Sequence, residues 1–156
     1  MINFIEENIN CSSNRHSRAL FSVYSQSLVE KWIRAVAAGY GFATGDITYI
    51  LCDDEKILEV NRQFLGHDYY TDVITFDYSS ASRISGDIYI SLDTVASNAE
   101  HEGVSFDDEL LRILVHGVLH LTGQADKTPE TKAQMTAKEE QALALWRKMD
   151  IFSIKK

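Results

Sequence analysis

The sequence predicts an α+β domain in which a small sheet of about four strands packs with about five helices around a central, buried helix that carries histidines. Short runs of β-branched and aromatic residues alternate with amphipathic segments, which is typical of α+β or mixed α/β domains. The stretch 110–121 is apolar on nearly every side, as expected of a helix enclosed by its domain. A chain of 156 residues supports one hydrophobic core, so we expect residues 1–156 to form a single domain.

The first half of the chain is predicted to form two strands and two helices. The first helix shows apolar residues at i, i+3 and i+4, and Gly39 and Gly41 are expected to end it. The second strand is rich in β-branched and aromatic residues, and Asp53 can cap the helix that follows it. We expect the strands at residues 2–6 and 46–52 and the helices at residues 19–38 and 53–64.

The second half is predicted to form two strands joined by a loose hairpin loop, followed by three helices. Ser105 or Asp107 is expected to cap the central helix, and Pro129 stands at the first position of the last helix. The order of elements is therefore β-α-β-α-β-β-α-α-α. We expect the strands at residues 72–78 and 86–91, the loop at residues 79–85, and helices at residues 92–101, from the central cap to residue 121, and 129–148.

Composition and charge limit the classes of function. The 23 acidic and 15 basic residues give a formal net charge of −8, which argues against strong non-specific binding to nucleic acid but leaves room for a local basic face. Cys11 and Cys52 have no metal-binding spacing and are typical of reduced thiols in a cytoplasmic protein. The N-terminus is acidic and no long apolar run is present, so we expect neither a signal peptide nor a membrane span.

A polar stripe runs along the central helix. At about 100° per residue, Glu109, Arg112, His116 and His120 fall within one narrow sector. A lone histidine on an apolar helix is usually a core residue, but two at i and i+4 can direct both imidazoles to one point. For Arg112 two interpretations stay open: it contacts a substrate phosphate in a bidentate manner, or it forms an ion pair with Glu109 or Asp108.

The spacing after the two histidines predicts a metal site. Gly123 permits a sharp exit from the helix, so that the chain can fold back and bring Asp126 to His116 and His120. Three protein ligands leave one coordination position open, which is the arrangement of a catalytic rather than a structural metal. We expect one Zn²⁺ per chain, although Fe²⁺, Mn²⁺ and Ni²⁺ also accept these ligands.

A metalloprotease is the first alternative to consider. The pattern His-x3-His-x2-Gly-x2-Asp resembles that of the metzincin proteases, in which a glutamate follows the first histidine and acts as the general base. Here Gly117 occupies that position, so the carboxylate that would activate water for peptide hydrolysis is missing. A protease is therefore disfavoured.

Three motifs together resemble the YbeY family of bacterial metal-dependent endoribonucleases. Residues 116–123 (His-Gly-Val-Leu-His-Leu-Thr-Gly) are similar to the family signature His-Gly-x-Leu-His-Leu-x-Gly-Tyr-Asp-His. Residues 61–76 resemble its segment with Thr-Asp-Val-Leu-Ser-Phe, and residues 86–88 resemble its Gly-Asp-Ile strand. The motifs occur in the family's order and span about half of the chain.

This resemblance implies a function in the maturation of ribosomal RNA. The implied activity is hydrolysis of single-stranded RNA, with roles in processing the 3′ end of 16S rRNA and in ribosome quality control. The implied partners are RNA and the ribosome or its proteins, and we expect a monomer. We assign Arg112, His116 and His120 as catalytic residues; the activated nucleophile is either water or a ribose 2′-hydroxyl.

Two departures from the family pattern concern the site directly. Asp126 stands where the family has its third histidine ligand, which makes the site less positive by one charge, and Gln124 and Ala125 replace the preceding Tyr-Asp. The family's arginine, which is thought to assist the chemistry, aligns with Leu65.

A replacement for that arginine has to come from elsewhere in the chain if the reaction needs a cation. Arg62 and Arg112 are the candidates, and His67 is a weaker one. The alternative is a metal-binding ribosome-biogenesis factor with little or no catalytic activity.

Overall fold

The computed structural model describes residues 1–6, 26–65 and 73–155. Its centre is a mixed four-stranded sheet. The strand order is β1-β2-β4-β3, with β1 and β4 both parallel to β2, and with β3 antiparallel to β4 at one edge. A parallel pair needs a crossover connection, and helices provide it here. The strands are β1 (Ile2–Glu6), β2 (Ala43–Cys52), β3 (Val73–Asp77) and β4 (Arg83–Ser91).

Five helices in the described residues complete the α+β fold, and the order of elements agrees with the prediction. Among these residues, no helix combines the length and the hydrophobicity that crossing a membrane requires. Asp53 and Ser105 cap their helices by accepting hydrogen bonds from the backbone N–H groups of Lys56 and Asp108. The helices are α1 (Gln26–Gly39), α2 (Asp54–Val60), α3 (Leu92–Glu102), α4 (Phe106–Leu121) and α5 (Pro129–Lys155).

The core lies mainly on one face of the sheet. Alternate residues of β2 and β4 point to α1, α4 and α5 on that face, while α2 covers a smaller cluster on the opposite face. Helix α4 lies at the centre of the larger cluster, as its apolar sequence predicts. Its fully or almost fully buried apolar residues are Leu110, Leu111, Ile113, Leu114, Val115, Val118, Leu119 and Leu121.

Two contacts fix α4 against the sheet. Gly117 faces β4 so closely that a Cβ atom at this position would lie 2.9 Å from a side-chain carbon of Ile88. The hydroxyl group of Tyr49, on β2, donates a hydrogen bond of 2.8 Å to the backbone carbonyl of Leu114. The sheet therefore sets both the distance and the position of the helix that carries His116 and His120.

The hairpin between β3 and β4 is tighter than predicted. Backbone N–H groups of Tyr78 and Ser80 donate to the carbonyls of Ser85 and Arg83, both at 2.9 Å. Strand β4 therefore begins at Arg83, so the predicted connecting loop is present, but its predicted end at residue 85 is wrong because residues 83–85 belong to the strand. Serines have no strong strand preference, but here the Ser79 hydroxyl bonds to the backbone of Ser85 and stabilises the turn.

Several other bounds differ from the predictions. Strand β2 begins at Ala43, and its register with β4 is irregular between Thr44 and Ile47. Helix α2 ends at Val60 and continues as a π-helical turn, Asn61–Leu65, which places the exposed ring of Phe64 against that of Phe76 on β3. Helix α5 continues past residue 148 to Lys155. Residues 19–25 of the predicted first helix lie outside the described residues.

Removal of the Tyr49 hydroxyl should weaken the attachment of α4 to the sheet. Burial raises the pKa of the Tyr49 phenol, so the group stays a neutral donor. We expect Tyr49→Phe to lower the free energy of unfolding by about 1 kcal/mol, because a buried hydrogen bond is lost while the ring remains. Urea unfolding measures this change. Tyr78→Phe is the control, since Tyr78 is 65% exposed; equal effects in both variants would contradict the prediction.

Candidate metal centre

The two histidines of the polar stripe meet at the C-terminal end of α4. His116 and His120 are one helical turn apart, and their ring planes lie at 85° with the centroids 4.6 Å apart. The two Nε2 atoms are separated by 3.0 Å. Both side chains are partly exposed, so the point to which they converge is accessible from outside the core.

A turn after the helix brings the third residue to the same point. Gly123 has a φ of +99°, a conformation that favours glycine, and its N–H donates to the carbonyl of His120 at 3.0 Å. The chain then reverses and places the Asp126 Oδ2 atom 3.4 Å from both the Nε2 atom of His116 and that of His120. The three residues predicted to bind a metal are therefore brought together.

The hydrogen bonds of the outer ring nitrogens determine the tautomers of both histidines. Nδ1 of His116 lies 2.6 Å from the Glu139 carboxylate, and Nδ1 of His120 lies 3.0 Å from the backbone carbonyl of Gln124. Both partners are acceptors, so each Nδ1 carries the proton and each Nε2 presents a lone pair. Two lone pairs and a carboxylate oxygen thus face one another, which is unfavourable unless a cation lies between them.

The distances fit a tetrahedral transition-metal ion. Bonds of about 2.0–2.1 Å at tetrahedral angles place ligand atoms about 3.3 Å apart. The observed separations are 3.0, 3.4 and 3.4 Å. Two imidazole nitrogens and one carboxylate oxygen are also ligands that zinc, iron, manganese and nickel accept. The donor set and its geometry are therefore suited to a divalent transition metal.

A cleft opens beside the site at the edge of the sheet. Val73, Thr75 and Asp77 of the edge strand β3, together with His120, line a cavity of about 290 Å³. Burial lowers the pKa of His120, and the nearby His116 lowers it further. His120 therefore stays neutral, with a lone pair available for a metal, to a lower pH than an ordinary histidine does.

A charged network of two buried carboxylates and a partly exposed arginine lies behind His116. Arg112 donates to both oxygens of Glu109, with Nε at 2.9 Å from Oε1, and its Nη1 atom donates to Glu139 at 3.0 Å. Glu109 and Glu139 are 1% and 3% exposed. The hydrogen bonds to Glu109 raise the pKa of Arg112, so its charge is permanent. Of the two interpretations of Arg112, the ion pair with Glu109 is present.

The remaining candidates come from the segment 62–67, of which residues 62–65 are described. Leu65 and Arg62 belong to the π-helical turn, and His67 lies outside the described residues. Gly117, where a protease would have its glutamate, faces Ile88 of the sheet, so a longer side chain does not fit there. This packing argues further against the protease alternative.

Glu139 was missed by the sequence analysis, although a signal for it exists. The residue lies on the same helical face as Met135, Ala142, Leu143 and Trp146, all of which are buried. Glu139 follows Met135 by four residues and precedes Ala142, Leu143 and Trp146 by three, four and seven residues. A carboxylate at these helical spacings lies on the face of the helix that packs into the core. Because a buried charge needs a partner, its position predicts an interaction with another element.

The fold and the site together define a class of protein: an α+β domain with two histidines and a carboxylate arranged as in a catalytic metal centre. Comparison with known protein families shows which family within this class the chain matches. The family described as Endoribonuclease YbeY matches residues 9–147. The chain belongs to this endoribonuclease family, as its motifs predict.

Individual relatives agree with this assignment. The chain is similar to Endoribonuclease YbeY of Phocaeicola vulgatus, with 60% identity over 114 residues that cover 73% of this chain and 83% of the relative. It is 57% identical over 115 residues to Endoribonuclease YbeY of Bacteroides thetaiotaomicron, covering 74% of this chain and 84% of the relative. The solution structure of TM1509 from Thermotoga maritima has a TM-score of 0.61 at 27% identity and covers 95% of this chain and 93% of its own.

The positive φ of Gly123, in the turn that leads to Asp126, can be tested through its effect on stability. We expect Gly123→Ala to lower the free energy of unfolding by about 1 kcal/mol, because an L-residue is strained at this φ. Thermal or urea unfolding measures the loss. Gly39→Ala is the matched control: a Cβ atom meets nothing within 4 Å at either position, but only Gly123 has a positive φ. Equal stability of the two variants would sink the explanation by strain.

Proposed function

We propose that this protein is a metal-dependent endoribonuclease that cleaves single-stranded RNA and acts in maturation of the 3′ end of 16S rRNA. The observation that carries the proposal is the convergence of three metal-ligand atoms beside an open cleft in a member of an endoribonuclease family. The cleft of about 290 Å³ gives a substrate access to the site from the side of β3.

In this proposal His116, His120 and Asp126 hold one Zn²⁺ per chain. The metal, when bound, supplies Lewis acidity toward a phosphoryl oxygen and makes a water or hydroxyl proton more acidic. The chain's own residues hold the ligands in place: Gln124 orients His120, and the turn at Gly123 orients Asp126. His116 and His120 are thereby catalytic, while the guanidinium of Arg112, bound to Glu109 and Glu139, has a positioning role.

The partners follow from the proposed substrate. A formal net charge of −8 gives little general attraction to RNA, so we propose that the ribosome or a ribosomal protein presents the strand. The protein would act in the cytoplasm as a monomer, and ribosome quality control is a further role consistent with an rRNA nuclease. The second candidate function is a metal-binding biogenesis factor without cleavage, which is favoured by Leu65 in place of the family's arginine.

Metal content is the first test of the proposed site. Purified protein should contain about one transition-metal ion per chain, and His116→Ala or Asp126→Ala should lose most of it, because two ligands hold the ion far less tightly than three. Elemental analysis after gel filtration measures the ratio. His101→Ala is the control, since His101 is an exposed histidine on α3. Full metal content in both ligand variants would remove this site.

Cleavage of RNA separates the enzyme from the binding factor. We expect metal-dependent cleavage of a labelled single-stranded RNA, loss of at least 100-fold in His120→Ala, and little change in His101→Ala. Denaturing gels measure the rate with and without a chelator. If His120→Ala cleaves as fast as the wild type, the activity belongs to a contaminant. If the wild type binds metal but does not cleave, the biogenesis factor is the correct alternative.

A further inference from the structure

We propose that Glu139, on α5, is a positioning residue that holds the imidazole of His116 in the tautomer and orientation required for metal binding. The inference rests on the proposed function and deepens it. It assigns the hydrogen bond at the outer nitrogen, Nδ1, of the proposed ligand His116 to Glu139, a residue 23 positions away. Three features of the molecule support this role: the burial of the Glu139 carboxylate, its contact with two partners, and the difference between the acceptors of the two histidines.

The carboxylate of Glu139 is placed where a charge is costly. It is 3% exposed and lies on the face of α5 that otherwise packs Met135, Ala142 and Leu143 into the core. An apolar residue would pack at this position without desolvating a charge. A hydrophobic residue could make neither of the two polar contacts of Glu139, which are with His116 Nδ1 at 2.6 Å and with Arg112 Nη1 at 3.0 Å.

Each oxygen of Glu139 has its own partner. Oε2 accepts from His116, and Oε1 accepts from the Nη1 atom of Arg112 at 3.0 Å. Arg112 is in turn held by the buried Glu109, three residues before it on α4. The carboxylate is therefore fixed at both ends, and it cannot rotate away from the imidazole without breaking an ion pair.

The two histidines are oriented by different means. His120 donates to the carbonyl of Gln124, which belongs to the turn at the end of its own helix, whereas His116 donates to a carboxylate from another helix. A carboxylate makes the opposite ring nitrogen a stronger donor to a metal than a neutral carbonyl does. The carboxylates of Asp126, Glu139 and Glu109 with the guanidinium of Arg112 leave two negative charges, which one divalent cation neutralises.

Zinc affinity and the state of the imidazole test the proposal without reference to RNA cleavage. Competition with a chromophoric chelator measures zinc affinity in the wild type, Glu139→Gln, Glu139→Ala and the control Glu140→Gln. Glu140 is the next residue on α5 but is exposed. We expect a loss of about 10–100-fold in Glu139→Ala, a smaller loss in Glu139→Gln, whose amide oxygen still accepts the hydrogen bond, and no change in Glu140→Gln.

Imidazole ¹⁵N spectra of the metal-free protein provide the second readout. In the wild type the ring of His116 should be protonated at Nδ1, and in Glu139→Ala part of the population should carry the proton at Nε2 instead. Zinc affinity within twofold of the wild type in both Glu139 variants, or an unchanged tautomer in Glu139→Gln and Glu139→Ala, overturns the proposal. If Glu139→Ala does not fold, the zinc affinity of Glu139→Gln alone tests the proposal, because glutamine keeps the size of the side chain.

The outcome is separable from that of the proposed function. If the wild type does not cleave RNA but the Glu139 variants lose zinc affinity, the function is wrong and the role of Glu139 stands. If the wild type cleaves RNA and the Glu139 variants bind zinc normally, the function stands and the role of Glu139 is wrong.

Discussion

Helix α4 is enclosed on nearly every side, and the polar groups along its one polar stripe must be satisfied within the protein. At Gly117 the helix approaches Ile88 of the sheet so closely that even a Cβ atom would not fit. In the described part of the chain, every buried side-chain nitrogen or oxygen has a hydrogen-bond partner. The position of α5 and the shape of the turn after α4 both serve this requirement, because they supply the acceptors for the two histidines.

The two outer hydrogen bonds of the histidines link stability to chemistry. Each imidazole is partly withdrawn from water, and the protein gives each Nδ1 atom an acceptor. The inner nitrogens are then left with lone pairs that face Asp126. The same contacts that satisfy the Nδ1 atoms of two partly exposed histidines thus leave their Nε2 atoms suited to bind a metal, and the cleft at β3 opens beside them.

The sequence predicts the local parts of this arrangement better than the distant ones. His116, His120 and Asp126 could be assigned because a helical period and one glycine determine their geometry, and Asp53, Ser105 and Pro129 mark helix ends by their own backbone chemistry. Glu139 could not be paired with His116, because their contact depends on how α5 docks on α4. The early end of α2 depends likewise on packing, since Phe64 contacts Phe76 of a strand that comes later in the chain.

Asp126 differs from His116 and His120 in the kind of backbone that carries it. The two histidines come from a helix whose spacing cannot vary without disturbing the core, whereas Asp126 comes from an irregular stretch after Gly123 that contributes little to packing. A side chain of another length or charge can therefore be exchanged there while the core is kept. The local charge beside the two histidines is therefore separable from the packing that holds the fold.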